Sequence, residues 1–253
     1  MLKKRVIPIL LLREGRMVKG VQFAGYRDTG NPSTAVRIYS AQDADELVFL
    51  DIQATLKSRG ALVDVVEEAS KECFMPLAAG GGIQSLGDVR ELLRAGADKV
   101  VVTTAAVTTP GLVTVIAETY GSQCVVAGID VRHGDDGPKV WVRCGTEATA
   151  LDPLQHARNL VERGAGELFF NSIDRDGVMQ GYDLELAARI ADAVPVPVIV
   201  CGGAGNFMHL AELLRDTPAS AAACASLFHF GDNNPIRARS YLRNLGIPMR
   251  VLK

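Results

Sequence analysis

Apolar runs of five to seven residues recur along the chain, separated by longer stretches whose apolar positions repeat with a helical period. The runs are 6–12 (VIPILLL), 47–52 (LVFLDI), 75–79 (MPLAA), 99–104 (KVVVTT), 124–130 (CVVAGID), 167–172 (ELFFNS), 197–201 (PVIVC) and 220–225 (SAAACA). Segments that are apolar at nearly every position suit parallel strands buried on both faces. Helical patterns lie near 33–44, 61–72, 86–95, 110–120, 153–163, 183–193, 207–215 and 235–245. Asp152 before Pro153, and Thr109 before Pro110, put a capping side chain ahead of a proline, which marks a helix start. Eight strand–helix units in 253 residues predict an α/β fold, a (β/α)8 TIM barrel forming one domain over 1–253. The segment 131–150, which begins VRHGDDGPKVWVRCG, predicts a small hairpin after the fifth strand.

The two halves of the pattern resemble each other. GGGI at 80–83 answers GGAG at 202–205, and LVFLDIQAT at 47–55 answers LFFNSIDRDG at 168–177. VVTTAAV at 101–107 answers ACASLF at 223–228, with Thr104 opposite Ser226. The order and near-constant spacing of these pairs predict a doubled half-barrel, with halves near 1–122 and 123–253.

Composition narrows the function. A formal net charge of −2 gives no reason to expect nucleic acid or an acidic membrane surface as partner. No apolar run reaches membrane-spanning length, and the N-terminus lacks a signal-peptide core. The five cysteines, Cys73, Cys124, Cys144, Cys201 and Cys224, are odd in number, widely spaced and free of any CxxC. They read as reduced thiols of a cytoplasmic protein, and no metal or cofactor signature is present.

The glycine clusters carry the first chemistry. Each follows a strand at the end where barrel active sites sit. Glycine lets backbone N–H groups approach an anion and tolerates positive φ. Gly81 and Gly82 with Thr103 and Thr104 make one candidate phosphate cradle; Gly177, Gly202, Gly203, Ala225 and Ser226 make the other. Two cradles predict a substrate with a phosphate or similar anion at each end. Acids supply the second chemistry. Asp51 ends the second strand, Asp130 the fifth, and Asp174 and Asp176 follow the sixth. Such carboxylates converge on the barrel mouth, where they can carry protons or cap loops. Asp130 is the strongest candidate, because it follows an apolar strand into the mouth and burial would raise its pKa. The internal repeat sets Leu11 opposite Asp130, so a symmetric pair of acids is missing one member.

At the other end, Arg5, Glu46, Lys99 and Glu167 stand at or just before strand starts and should ring the N-terminal mouth. The ring fits a stabilising salt-bridge layer or a gate over an axial passage. Asp45 and Asp98 beside it are expected to face outward, where a partner could dock.

KR-IP at the start, G-MVKG at 15–20, DELVFLDI at 45–52, GGGI at 80–83 and GADKVVVTTAAV at 96–107 resemble the HisF family, as do GSQCVVAGIDV at 121–131, GAGELFFNSIDRDGVMQGYD at 164–183 and CGGAG at 201–205. HisF is the cyclase subunit of imidazole glycerol phosphate synthase. The resemblance implies a (β/α)8 barrel with two phosphate sites and Asp130 at the position of a catalytic aspartate; Asp51 and Asp176 are further candidate catalytic acids, and Lys19 and Asp174 are candidate substrate-binding residues. It implies a HisH-like glutaminase subunit docked at the N-terminal face near Asp98, with ammonia passing a gate of Arg5, Glu46, Lys99 and Glu167. It also exposes a departure: the family places a second catalytic aspartate at the position of Leu11, and an asparagine at that of Thr103.

VIPxLLL, ECFMPL at 72–77, GYDLEL at 181–186 and FHFGDNNP at 228–235 are similar to HisF-like acetamidino-modification proteins of surface-glycan biosynthesis. That resemblance implies amidine formation on a nucleotide-activated sugar, with a third amidotransferase-like protein as a further partner. The alternatives are a histidine-pathway cyclase, and a non-catalytic ammonia conduit that activates the glutaminase.

Overall fold

The computed structural model describes residues 3–57 and 63–250. In chain order the strands and helices are β1 (Arg5–Arg13), β2 (Arg16–Val21), β3 (Ala24–Gly30), α1 (Pro32–Ala41), β4 (Leu47–Asp51), α2 (Val63–Ser70), β5 (Leu77–Gly80), α3 (Leu86–Arg94), β6 (Lys99–Val102), α4 (Thr104–Thr108), α5 (Gly111–Tyr120), β7 (Val125–Gly134), β8 (Gly137–Val142), β9 (Glu147–Ala148), α6 (Pro153–Glu162), β10 (Glu167–Ser172), α7 (Leu184–Asp192), β11 (Val198–Cys201), α8 (Phe207–Asp216), β12 (Ala221–Cys224), α9 (Ser226–His229) and α10 (Pro235–Asn244).

Eight parallel strands close on themselves in the order β1, β4, β5, β6, β7, β10, β11, β12 and back to β1. This is the expected (β/α)8 barrel, with helices outside. Three of the outer helices, α1, α6 and α10, begin with a proline behind Asn31, Asp152 or Asn234, and each of those side chains accepts an N–H of the first turn.

Several expected boundaries move. The run 99–104 leaves the sheet at Val102, because Thr104 opens the short helix α4. Cys124 belongs to a single 3-10 turn (Ser122–Cys124) rather than to β7. Of the helix expected at 61–72, residues 61 and 62 lie outside the described residues. The stretch after the first strand is a hairpin, β2 with β3, laid antiparallel on β1. The hairpin expected at 131–150 is present: β7 runs on to Gly134 and pairs with β8, which pairs with β9.

Alternation along β1 sorts its side chains. Val6, Leu10 and Leu12 face the helices, whereas Ile7, Ile9 and Leu11 face the barrel interior. The interior is filled by Val48, Ala78, Val101, Val126, Phe169, Ile199 and Ala223 from the other strands.

One expectation about the N-terminal face is overturned. Asp45 is buried, at 4% exposure. Its Oδ2 accepts the Val6 N–H at 2.9 Å and its Oδ1 stands 3.1 Å from Nη1 of Arg239, itself 2% exposed. Arg239 also pairs with Asp43 at 3.2 Å. An isolated carboxylate so placed would be costly, and the guanidinium supplies its partner. Asp98 does face solvent, and its Oδ2 accepts the Leu77 N–H at 2.8 Å.

Candidate active site

The ends of the strands enclose a cavity of about 910 Å³, counted to its open mouth. Its apolar floor is the barrel interior, Ile9, Leu11, Val101 and Phe169. Asp51, Asp130, Asp176, Lys19, Gly81, Gly82, Thr103, Thr104 and Ala225 all border it.

Asp130 lies on β7, a strand held by β6 and β10 and extended by β8, so its place is set by the sheet. Burial pushes its carboxyl up to about 7; a hydrogen bond from Asn171 opposes the shift and the nearby charge of Asp176 adds to it. Asn171 is its neighbour in the parallel register of β10 with β7. Asp51 borders the cavity, but its Oδ1 accepts the N–H groups of Gln53 and Ala54 at 2.9 and 3.0 Å, which is loop capping. Asp176 is paired: Lys19 Nζ lies 2.7 and 2.8 Å from its two oxygens.

Asp174 is not brought to the cavity. Its Oδ2 accepts the His133 N–H at 2.8 Å, and Arg132 lies 3.6 Å from Oδ1, so it ties the β7–β8 hairpin to the loop after β10. Arg132 in turn stacks over the Trp141 ring at 4.7 Å.

The glycines of both clusters take backbone conformations that favour glycine. Gly81, Gly82, Gly202 and Gly203 all have positive φ. A Cβ on Gly81 would meet the Asp51 carbonyl oxygen at 2.2 Å, and one on Gly203 would meet that of Gly181 at 2.0 Å, so no side chain fits at either. Gly177, Gly202, Gly203, Ala225 and Ser226, with Lys19 and Asp176, line a second, smaller cavity of about 220 Å³ that adjoins the first. Thr104 Oγ1 accepts the Arg143 N–H at 3.0 Å, which fastens the first cradle to the β8–β9 turn.

Four further residues at the cavity were not singled out from the sequence: Asn171, Tyr26, Cys144 and Cys201. Cys201 ends an expected strand and Asn171 stands one residue before the end of another, which was an available signal. Tyr26 sits on the β2–β3 hairpin and packs against the interior cluster that contains Leu11 and Val18. Burial and the charges of Cys144, Asp176 and Asp130 raise its phenol well above the ordinary value. Cys144 donates its thiol to the Ile52 carbonyl at 3.0 Å, and burial pushes both Cys144 and Cys201 up to about 12, so neither is a ready nucleophile.

At the opposite end the four charged residues close a ring. Arg5 Nη1 lies 2.6 Å from Glu46, and its Nη2 pairs with Glu167. Lys99 Nζ lies 2.9 Å from both Glu46 and Glu167. Burial pulls Lys99 down, but the two carboxylates outweigh it and hold the ammonium above its usual pKa. Cation and anion alternate, and each carboxylate is shared by two partners.

The sequence matches the family described as Histidine biosynthesis protein over residues 5–234. The chain belongs to that family. It is 47% identical over 253 residues to "Imidazole glycerol phosphate synthase subunit HisF" of Caulobacter vibrioides (strain NA1000 / CB15N), covering 99% of this chain and 97% of the relative. The same figures hold for the subunit of that name from Caulobacter vibrioides (strain ATCC 19089 / CIP 103742 / CB 15). The chain is thus a HisF homologue over nearly its whole length. Among the described residues, no helix is long and apolar enough to cross a membrane.

Proposed function

We propose that this HisF-family barrel is the ammonia-using synthase subunit of a glutamine-dependent complex, acting on a phosphorylated small molecule by lyase–cyclase chemistry of the imidazole glycerol phosphate synthase kind. The observation that carries the reading is Asp130, poised near pH 7 at the mouth of a cavity that joins two glycine cradles. The near full-length likeness to the Caulobacter subunit supports this cyclase reading over the amidine-forming one.

In this reading the cradles hold an anion at each end of the substrate, through Gly81, Gly82, Thr103 and Thr104 on one side and Gly177, Gly202, Gly203, Ala225, Ser226 and Lys19 on the other. A glutaminase of the HisH kind docks on the N-terminal face near Asp98. Ammonia passes the Arg5–Glu46–Lys99–Glu167 ring and reaches the substrate inside the apolar barrel, away from water. Asp130 accepts a proton from the added nitrogen and returns one to the departing oxygen, which a carboxyl near neutrality can do in both directions. Asp176 orients Lys19, and Asp51 positions the loop beside the first cradle. Five free cysteines suit a cytoplasmic enzyme.

Leu11 favours a second reading. No proton can come from leucine, so a reaction needing two acids at the mouth is short of one. Amidine formation on a nucleotide-activated sugar, with a third amidotransferase-like protein, asks less of that position and still needs sheltered ammonia. The deciding experiment is turnover of the histidine-pathway intermediate with excess ammonium salt and no glutaminase, for parent and Leu11→Asp. Parent turnover supports the cyclase. No parent turnover, with at least a 10²-fold gain in Leu11→Asp, supports the second reading, since one missing proton carrier is worth about 10²–10⁴-fold.

A further inference from the structure

A second large cavity, about 890 Å³ to its mouth, shares no lining residue with the catalytic one. It lies between the end of β3, the helix α1 and the segment that follows α9. Part of its wall is apolar: Met17, Ala35, Ile38, Tyr39 and Phe228.

The polar part is unusual. Thr29 Oγ1, Gln42 Oε1 and both ring nitrogens of His229 are buried and have no hydrogen-bond partner among the described residues. Buried polar atoms are almost always paired, and four unpaired ones around a single cavity point to a missing occupant. His229 is neutral, because burial, with a smaller push from the charge of Lys19, lowers it to about 4. A neutral imidazole offers one donor and one acceptor.

The lining restricts what that occupant can be. Among the described residues no lysine or arginine borders the cavity, so none of them would hold a phosphate there, and Asp232 is the one charged lining residue. The rings of Tyr39 and Phe228 pack on each other, centroids 6.3 Å apart, and are 4% and 8% exposed, so neither offers an open face for a flat base to stack on. What remains is a set of neutral groups that donate and accept, with Asn233 and Asp232 adding an amide and a carboxylate. Sugar hydroxyls both donate and accept, and they match such a set. We infer that this cavity binds an uncharged polyhydroxylated ligand. Part of its wall, Phe228 to Asn234, lies in the FHFGDNNP stretch that the catalytic site leaves unused.

The test is a titration of the isotope-labelled full chain, followed by amide resonances, with D-glucose and N-acetyl-D-glucosamine as probes and uridine and inorganic phosphate as controls. Saturable shifts confined to residues 29–42 and 228–234 are expected, with a sugar Kd of about 10 mM or tighter. Gln42→Leu and His229→Leu should each weaken it at least about tenfold. Ile38→Trp, at a half-exposed wall position, fills the mouth without touching the buried groups and should abolish it. The inference is overturned if neither sugar saturates by about 50 mM, if uridine or phosphate binds there in preference, or if the three variants leave sugar binding unchanged. A sugar-soaked crystal holding only ordered waters on the four atoms would overturn it too.

Discussion

Lys19 Nζ lies 2.7 and 2.8 Å from the two carboxylate oxygens of Asp176, and the pair borders both the large cavity at the strand ends and the smaller one that adjoins it. Both side chains are buried, at 4% and 6% exposure. Removing one member leaves the other charge without its partner in a poorly hydrated place. Lys19→Ala is therefore expected to cost about 3–5 kcal/mol in urea unfolding, whereas Lys19→Ala with Asp176→Ala recovers part of that loss. The single variant should also lose affinity for inorganic phosphate, measured by titration calorimetry. A single variant as stable as the parent would show that the pair contributes little.

The pH dependence of stability follows from Asp130. Its folded pKa, raised to about 7, lies above the ordinary carboxyl value. Below about pH 4 both folded and unfolded chains carry the proton. Between about pH 4 and 7 the unfolded chain ionises first, so this group's contribution is lost as pH rises through that window. Asp130→Asn removes the effect. The variant is expected to gain on the parent between pH 4 and 8, by about 4 kcal/mol as a ceiling, since cavity water screens part of it. Parallel unfolding curves at both pH values would contradict the raised pKa.

The ring of Arg5, Glu46, Lys99 and Glu167 predicts a separation of stability from coupling. Lys99→Ala leaves Glu46 and Glu167 still bridged by Arg5, so the barrel should remain folded. With a glutaminase partner present, glutamine hydrolysis should continue while product formed per glutamine falls. Turnover with added ammonium salt should hold near the parent rate. Unchanged coupling in the variant would argue that the ring is a structural layer only.

Gly203 offers a test of the second cradle. Its φ is +114°, and a Cβ there would meet the Gly181 carbonyl oxygen at 2.0 Å. Gly203→Ala is expected to cost more than about 1 kcal/mol of stability and to remove phosphate binding at that cavity while leaving the first cradle intact. Phosphate soaked into crystals of parent and variant would show it directly.

The barrel was legible because strands buried on both faces leave nearly unbroken apolar runs, and because Asp152 before Pro153 announces a helix; Thr109 before Pro110 does not, since α5 starts at Gly111 and no side chain caps it. The β2–β3 hairpin was not, since AGYRDTG on β3 has no apolar alternation and its order comes from pairing with β2. Tyr26, which rides on that hairpin, was missed with it. Asp45 was misplaced, and the bonds of Asp174 were left open, for a related reason. Each looks like a free surface or rim acid in its own segment, and the partner that decides its role is distant in sequence. Arg239 is 194 residues from Asp45, and the His133 N–H is 41 residues from Asp174. Asp130 borders the cavity as expected, because the apolar run that carries it is a strand fixed by its paired neighbours.

That pairing has an evolutionary side. Asp130 is paired with Asn171 on one edge and Trp141 on the other, whereas the candidate cradle glycines Gly81, Gly82, Gly177, Gly202 and Gly203 lie in turns beyond the strand ends. Turns tolerate insertion and replacement far better than paired strands do. A descendant of this chain could therefore exchange the molecule it grips by rewriting the rim, and inherit its acid in the same place at no structural cost.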